Sequence, residues 1–283
     1  FTFYFLGRSL LRVFKRDKNS DDEKIFETKI FIFYTLFGVL FVSATTFLLS
    51  FFLPLKQYKP YLIAIILLLL LLNIKDISVP KNKIFFLFNY LLTPLIIGFS
   101  SYNIKFHYDS YAYHLATQSW IINSKIVFGL SKYFFWLGHS SIYEYAQAFL
   151  NFGENFIYQH YLNLLFINFL INFLSYHLVF NQKSLFFNIS LFVLIYGILD
   201  NFGFGGGSNG FIQIQMVGKP DVSVGILFFL ISIFIIQGIY KKSPNKFEVQ
   251  ILFLLFTFSI QLRIISVVLI FLLIPYIYRN FKI

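Results

Sequence analysis

Long apolar runs are the feature of this sequence that most constrains its fold. Residues 222–240, VSVGILFFLISIFIIQGIY, contain no acidic or basic side chain, and residues 61–72 are mostly leucine and isoleucine. A helix of about 20 apolar residues crosses the core of a bilayer. The runs are continuous and do not alternate between apolar and polar residues. They therefore predict transmembrane α-helices rather than the strands of a membrane barrel.

The composition supports an all-α polytopic membrane bundle. Only 12% of the 283 residues are charged and 58% are hydrophobic, whereas soluble domains carry about 25% charged residues. The net charge of +11 comes from basic residues between the apolar runs, which favours cytoplasmic loops over nucleic acid as its explanation. The absence of cysteine excludes disulfides and thiolate metal sites.

We predict a single transmembrane domain over residues 1–283. The chain begins with Phe and not Met, so we interpret it as an excerpt of a longer protein, with 1–7 the end of an earlier helix. Residues 249–278 allow two interpretations, one kinked helix or two short helices that meet near Arg263. The predicted membrane segments are 30–54, 60–74, 84–101, 161–180, 185–199, 222–240, 249–262 and 264–278.

The distribution of basic residues predicts the topology. The connection 8–29 carries charges of both signs and is interpreted as a solvated cytoplasmic loop, with room for an interfacial helix at its start. Alternating the segments from there places 75–83 and 241–246 in the cytoplasm, and 102–160 and 200–221 outside. The short basic connections then share one side of the membrane, as the positive-inside rule expects.

The external loop 102–160 is much longer than an ordinary connection between helices, which indicates function or internal structure. Within it, 111–122 and 142–152 are predicted to form short amphipathic helices at the membrane surface, aromatic on one side and polar on the other. Glu144 and Glu154 are assigned to solvated faces.

Asp109 is the candidate catalytic residue. It follows an apolar segment and precedes a helical pattern, so capping of that helix is the simpler interpretation. The alternative is a general base at the membrane boundary, where partial desolvation raises a carboxyl pKa toward working pH. His114 and Gln118 lie four residues apart on one helical face and are candidate substrate-binding residues beside it.

The acids are also candidate metal ligands. His107 and His114 are seven residues apart, which is too far for a compact helical pair of metal ligands. A divalent cation, Mg²⁺ or Mn²⁺, shared by Asp109 and a substrate diphosphate is therefore the better hypothesis. Asp221 begins a later apolar helix, where capping is again the simpler interpretation. Its position on the predicted outer side makes Asp221 a second candidate metal ligand and Lys219 a candidate phosphate contact.

Arg263 interrupts an apolar stretch, and a charge inside a membrane segment indicates function by default. The alternative is that the side chain of Arg263 extends to the outer interface, where its guanidinium is hydrated, and has no further role. If 249–278 is a hairpin, Arg263 lies at the outer tip and is suited to bind a lipid phosphate.

The order of these elements carries a resemblance to a known group. The residues that carry it are Asp109, Tyr113, His114, Leu115, Trp120, Ile121, Ile126, Val127, Gly129, Leu130, Leu137, Gly138, Ser140 and Ser141, with Lys219, Pro220 and Asp221 later. With these residues, the chain from 84 to about 280 resembles a family of uncharacterised bacterial polytopic membrane proteins that is similar to the GT-C superfamily of membrane glycosyltransferases. The chain departs from that family after Leu130, where the mostly aromatic stretch 131–136 replaces polar residues.

This resemblance implies an inverting transfer of a sugar from a polyprenyl-phosphate donor, for envelope glycan or lipid modification. The reaction would lie on the non-cytoplasmic face of the bacterial inner membrane, with Asp109 as base and with membrane lipids and the lipid-linked donor as partners. Two alternatives stay open. An envelope polysaccharide polymerase or ligase typically uses external arginines, and 102–160 contains none. A transporter would need polar residues or broken helices near the bilayer midplane.

Overall fold

The computed structural model describes residues 2–14, 28–72, 82–100, 114–133, 135, 141–153, 157–199, 220–240 and 246–281. Every regular element within these ranges is helical, which confirms the predicted all-α class. Three of the described helical segments are long and apolar enough to cross a membrane, at Lys29–Leu49, Tyr158–Phe180 and Asp221–Tyr240.

The helices follow the predicted segments closely. The predicted runs 161–180 and 185–199 coincide with helices at Tyr161–Phe180 and Leu185–Leu199, while the run predicted at 84–101 contains a π-helical turn, Leu87–Leu92. The described helices are α1 Thr2–Phe14, α2 Thr28–Leu49, α3 Leu55–Leu72, α4 Lys83–Phe86, α5 Thr93–Ser100, α6 Leu115–Asn123, α7 Ile142–Leu150, α8 Tyr161–Phe180, α9 Leu185–Leu199, α10 Asp221–Tyr240, α11 Lys246–Leu262 and α12 Ile270–Phe281.

The core of the bundle forms where α8 and α10 pack together. Phe166 and Phe169 of α8 and Leu227 and Leu230 of α10 are completely buried. Other helices leave large apolar side chains exposed, including Phe99, 78% exposed on α5. Helices that are apolar on every side either lie in a protein core or face lipid, so these outward faces are suited to contact a bilayer.

The helices α10, α11 and α12 run up and down between two ends of the bundle. Lys29 Nζ lies 2.9 Å from Glu248 Oε1 at the end where α10 finishes. Arg263 Nη2 lies 2.7 Å from Asp221 Oδ1 at the end where α10 begins. Arg263 has extended backbone angles, φ −147° and ψ 125°, and the chain returns beyond it until Tyr276 contacts Gly238. The segment 249–278 is therefore a hairpin whose turn lies at Arg263.

The amino-terminal segment differs from the prediction. The helix α1 runs without a break to Phe14, and the side chain of Arg8 is 6% exposed. The assignment of the solvated loop to 8–29 is therefore wrong for its first residues, because α1 packs closely along α2; residues 15–27 lie outside the described ranges. The close approach depends on glycine, since a Cβ on Gly7 would lie 1.9 Å from the carbonyl oxygen of Tyr34.

The helix α7 also differs from the prediction. It was expected to expose one polar side at the membrane surface, but every residue from Tyr143 to Phe149 is buried. Helices α2 and α6 pack against it, and Lys59 of α3 donates a hydrogen bond to the carbonyl oxygen of Asn151 just beyond it. The helix is therefore part of the protein interior, and it places its polar side chains inside the bundle.

Candidate functional site

Glu144 lies at the centre of a buried polar cluster on α7. Its side chain is 4% exposed, and its Oε2 accepts a hydrogen bond of 3.4 Å from the backbone N–H of Ser141. This contact caps the first turn of α7, where backbone N–H groups have no partner within the helix. The prediction that Glu144 belongs to a solvated face is wrong, because the bundle encloses α7.

His114 and Gln118 converge on Glu144. His114 Nδ1 lies 3.2 Å from Glu144 Oε1, and Gln118 Nε2 donates a hydrogen bond of 3.2 Å to the backbone carbonyl of Glu144. Both side chains are buried. The two residues predicted to bind substrate therefore lie in one buried cluster, in which both contact Glu144.

A second buried network connects α7 to the two long helices of the core. Tyr143 donates a hydrogen bond to Asn163 Oδ1 on α8, and Ser223 Oγ on α10 donates to the same oxygen at 2.8 Å. Burial raises the pKa of Tyr143, and the charge of Asp221 raises it further. The phenol is therefore neutral and serves as a hydrogen-bond donor that ties α7 to α8.

Asp221 and Arg263 form the exposed part of the site. Their side chains are each 46% exposed, and Asp221 is the first residue of α10. A guanidinium has five N–H donors, so one contact to Asp221 leaves donors on Arg263 for an anion. The ion pair lies two residues along α10 from Ser223 and thus continues the Tyr143 network to the surface.

The predicted site residues are only partly described. The structure brings together His114 with Gln118, and Asp221 with Arg263. Asp109 and Lys219 lie outside the described residues. Among the described residues, no group of three His, Asp or Glu side chains is placed to hold a metal ion. Arg263 also occupies one side of the Asp221 carboxylate, so the described donors do not fit a divalent cation.

Sequence reasoning missed Glu144, Tyr143, Asn163 and Ser223. A local signal existed for Glu144, since Ser141 followed three residues later by Glu144 is the pattern of a helix capping box. Asn163 offered a weaker signal as one of several amides inside a mostly apolar helix. Tyr143 and Ser223 are ordinary residues in their segments, and only tertiary packing brings them to Asn163.

The Tyr143 network leads to a prediction. Replacing Tyr143 by phenylalanine removes one donor to Asn163 while Ser223 still donates, so we expect a loss of about 1 kcal/mol in the free energy of unfolding. The measurement is denaturation by SDS titration of the purified protein in micelles. Tyr133→Phe is the matched control, since Tyr133 is 91% exposed and a surface change of this kind alters stability by less than about 0.5 kcal/mol. Equal effects would contradict the role of the network.

Long apolar helices, outward-facing hydrophobic side chains and a polar cluster at one end of the bundle together indicate a helical membrane protein. Within that class, the chain belongs to the family described as a domain of unknown function, DUF8201, whose model matches residues 1–283. No curated protein and no solved structure matches the chain.

Proposed function

We propose that the protein is a GT-C-like glycosyltransferase that takes a sugar from a polyprenyl-phosphate donor at the Asp221 end of the bundle. The observation that carries the proposal is the half-exposed Asp221–Arg263 pair at the mouth of a buried polar network. Phosphate is the one charged group of such a donor, and a guanidinium matches its geometry with paired N–H donors. Arg263 is the residue proposed to bind it.

Asp109 is the proposed general base of the transfer. It precedes His114 by five positions in the chain, and His114 lies in the buried cluster at this end of the bundle. A carboxylate near such a cluster can remove the proton from an acceptor hydroxyl as the sugar is transferred, which leaves the donor phosphate as the leaving group. The proposed location is the outer side of the bacterial inner membrane. No step is assigned to a metal ion.

The test measures glycan assembly in cells that depend on this protein. We expect Asp109→Asn to lower transfer by about 100-fold or more, the contribution of a general base, while membrane insertion is unchanged. Arg263→Met is expected to weaken use of the lipid-linked donor, visible as a raised KM. Lys183→Met, at the other end of α8, is the control. Normal glycan in Asp109→Asn cells would refute the proposed base.

A transporter is the second candidate, and one observation favours it. Asn168 and Asn172 lie one turn apart in α8, both buried, with Asn172 Nδ2 donating to Asn168 Oδ1 at 3.1 Å. Buried polar groups inside a spanning helix mark ion or solute paths as well as helix contacts. The test measures ion flux into proteoliposomes that contain the protein. Transport would be favoured if the protein showed flux but no sugar transfer, and if Asn168→Leu abolished the flux.

A further inference from the structure

A cavity of about 240 Å³ lies against helices α6 and α7. Thr117 and Ile121 of α6 and Tyr145 of α7 form its inner wall, and the segment 124–131 forms its outer wall. Thr117 and Tyr145 are the chain neighbours of Gln118 and Glu144. The cavity therefore adjoins the polar site through two shared helices, although it contains none of the residues predicted to bind substrate.

The outer wall is fixed by specific contacts. The backbone N–H of Ile126 donates a hydrogen bond of 2.7 Å to the carbonyl oxygen of Ser50, which holds the segment against the end of α2. The ring centroid of Phe128 lies 6.1 Å from that of Phe51. Gly129 then turns the chain with φ of +86°, a conformation that favours glycine. One backbone hydrogen bond and one aromatic contact thus hold this segment against the end of α2.

The lining combines aromatic rings, hydroxyl groups and one cation. Trp120 and Phe128 keep 40% and 83% of their surface exposed, so their rings are available to a ligand. Hydroxyls come from Thr117, Ser124 and Ser131, and the cation is Lys125. None of the described lining residues is acidic, so the electrostatic potential inside favours an anion.

Tyr145 does not oppose an anion in this cavity. Burial raises its pKa to about 12, and the neighbouring charge of Glu144 contributes to the increase. The phenol is therefore neutral at physiological pH and can donate a hydrogen bond. Lys125 is exposed at the rim.

We propose that this cavity binds a single sugar ring that carries a negative charge, as the acidic residue of an acceptor glycan. The identification of the ligand as a saccharide rests on the proposed function. Aromatic side chains present broad apolar faces, which suit the C–H side of a sugar ring, while the hydroxyls and Lys125 suit its polar groups. Binding sites for drug-sized ligands measure about 300–1,000 Å³, so this volume is suited to one ring and not to an extended chain.

The experiment uses tryptophan fluorescence of the full chain in detergent. The sequence contains two tryptophans, so Trp136→Phe leaves Trp120 as the reporter inside the cavity wall. The probes are glucuronate, glucose 6-phosphate, glucose and inorganic phosphate. We expect saturable quenching by both anionic sugars and at least tenfold weaker binding of glucose and of inorganic phosphate. Calorimetry of the unsubstituted protein with glucuronate provides a second measurement if Trp136→Phe does not fold.

The role of Lys125 is tested in the same assay. Lys125→Met is expected to weaken glucuronate binding about tenfold, Lys125→Arg to preserve it, and Lys183→Met at the opposite end of the bundle to have no effect. Absence of saturable binding by either anionic sugar would overturn the proposal. Equal binding of inorganic phosphate, or unchanged binding in Lys125→Met, would also overturn it. The binding assay contains no sugar donor, so absence of binding would leave the proposed transfer reaction intact. Conversely, binding to the cavity can still be measured if Asp109→Asn does not affect transfer.

Discussion

Replacing Glu144 by alanine is expected to lower the free energy of unfolding by about 3 kcal/mol. The substitution removes a buried carboxyl group from His114 Nδ1 and from the backbone N–H of Ser141. Hydrogen bonds to charged groups contribute about 1.5–3 kcal/mol, and a donor left buried without its partner adds a desolvation cost. Loss of the cap adds about 1 kcal/mol more, and relaxation of the new cavity offsets part of the total. SDS titration of the purified protein measures the change.

Two variants serve as controls for Glu144→Ala. Glu144→Gln keeps the volume and one oxygen acceptor, so we expect it to recover more than half of the loss. Glu248→Ala removes a carboxylate from a partly exposed ion pair with Lys29. Ion pairs at the protein surface contribute about 1 kcal/mol or less to stability, so we expect a loss of that size. If Glu144→Ala destabilised the protein no more than Glu248→Ala, burial would not explain the contribution of Glu144.

Replacing Gly38 by alanine is expected to separate α1 from α2. A Cβ at this position would lie 2.0 Å from the backbone carbonyl oxygen of Phe3, a contact that no side-chain rotation relieves. The helices must move apart by more than about 1 Å, and overpacking of this kind costs about 1–3 kcal/mol. Small residues allow helix backbones to approach closely in membrane proteins, so we expect the full 3 kcal/mol and faster proteolysis of α1.

Gly225→Ala is the matched control for Gly38→Ala. Gly225 lies within α10, and an added Cβ would meet no described atom within 4 Å. Alanine is the better helix former by about 1 kcal/mol, so this variant is expected to be neutral or slightly more stable. Similar destabilisation by both substitutions would show that the loss does not come from the contact between α1 and α2.

The sequence predicted the helices well because their cause is local. A continuous apolar run must satisfy its backbone hydrogen bonds within itself, whatever its neighbours are, and this condition defined α8 and α9 at both ends. The same reasoning placed a break near Arg263 but left a kinked helix and a hairpin both open. The prediction from local sequence failed at Arg8 and at α7. The charge of Arg8 and the mixture of aromatic and polar residues in α7 suggested contact with water, but neighbouring helices enclose both Arg8 and α7.

The site depended on information that no local pattern contains. The sequence by itself determined a set of apolar helices, an interruption of the last apolar stretch near Arg263 and the polar character of 114–118. Only the tertiary structure decided that Arg263 meets Asp221, that Glu144 joins His114, and that Tyr143 and Ser223 share Asn163. These partners are distant in the chain. Glu144 meets His114, and Tyr143 and Ser223 meet Asn163, because helix packing buries these polar groups at the same place. Arg263 meets Asp221 because the turn of the hairpin lies at the end of the bundle where α10 begins.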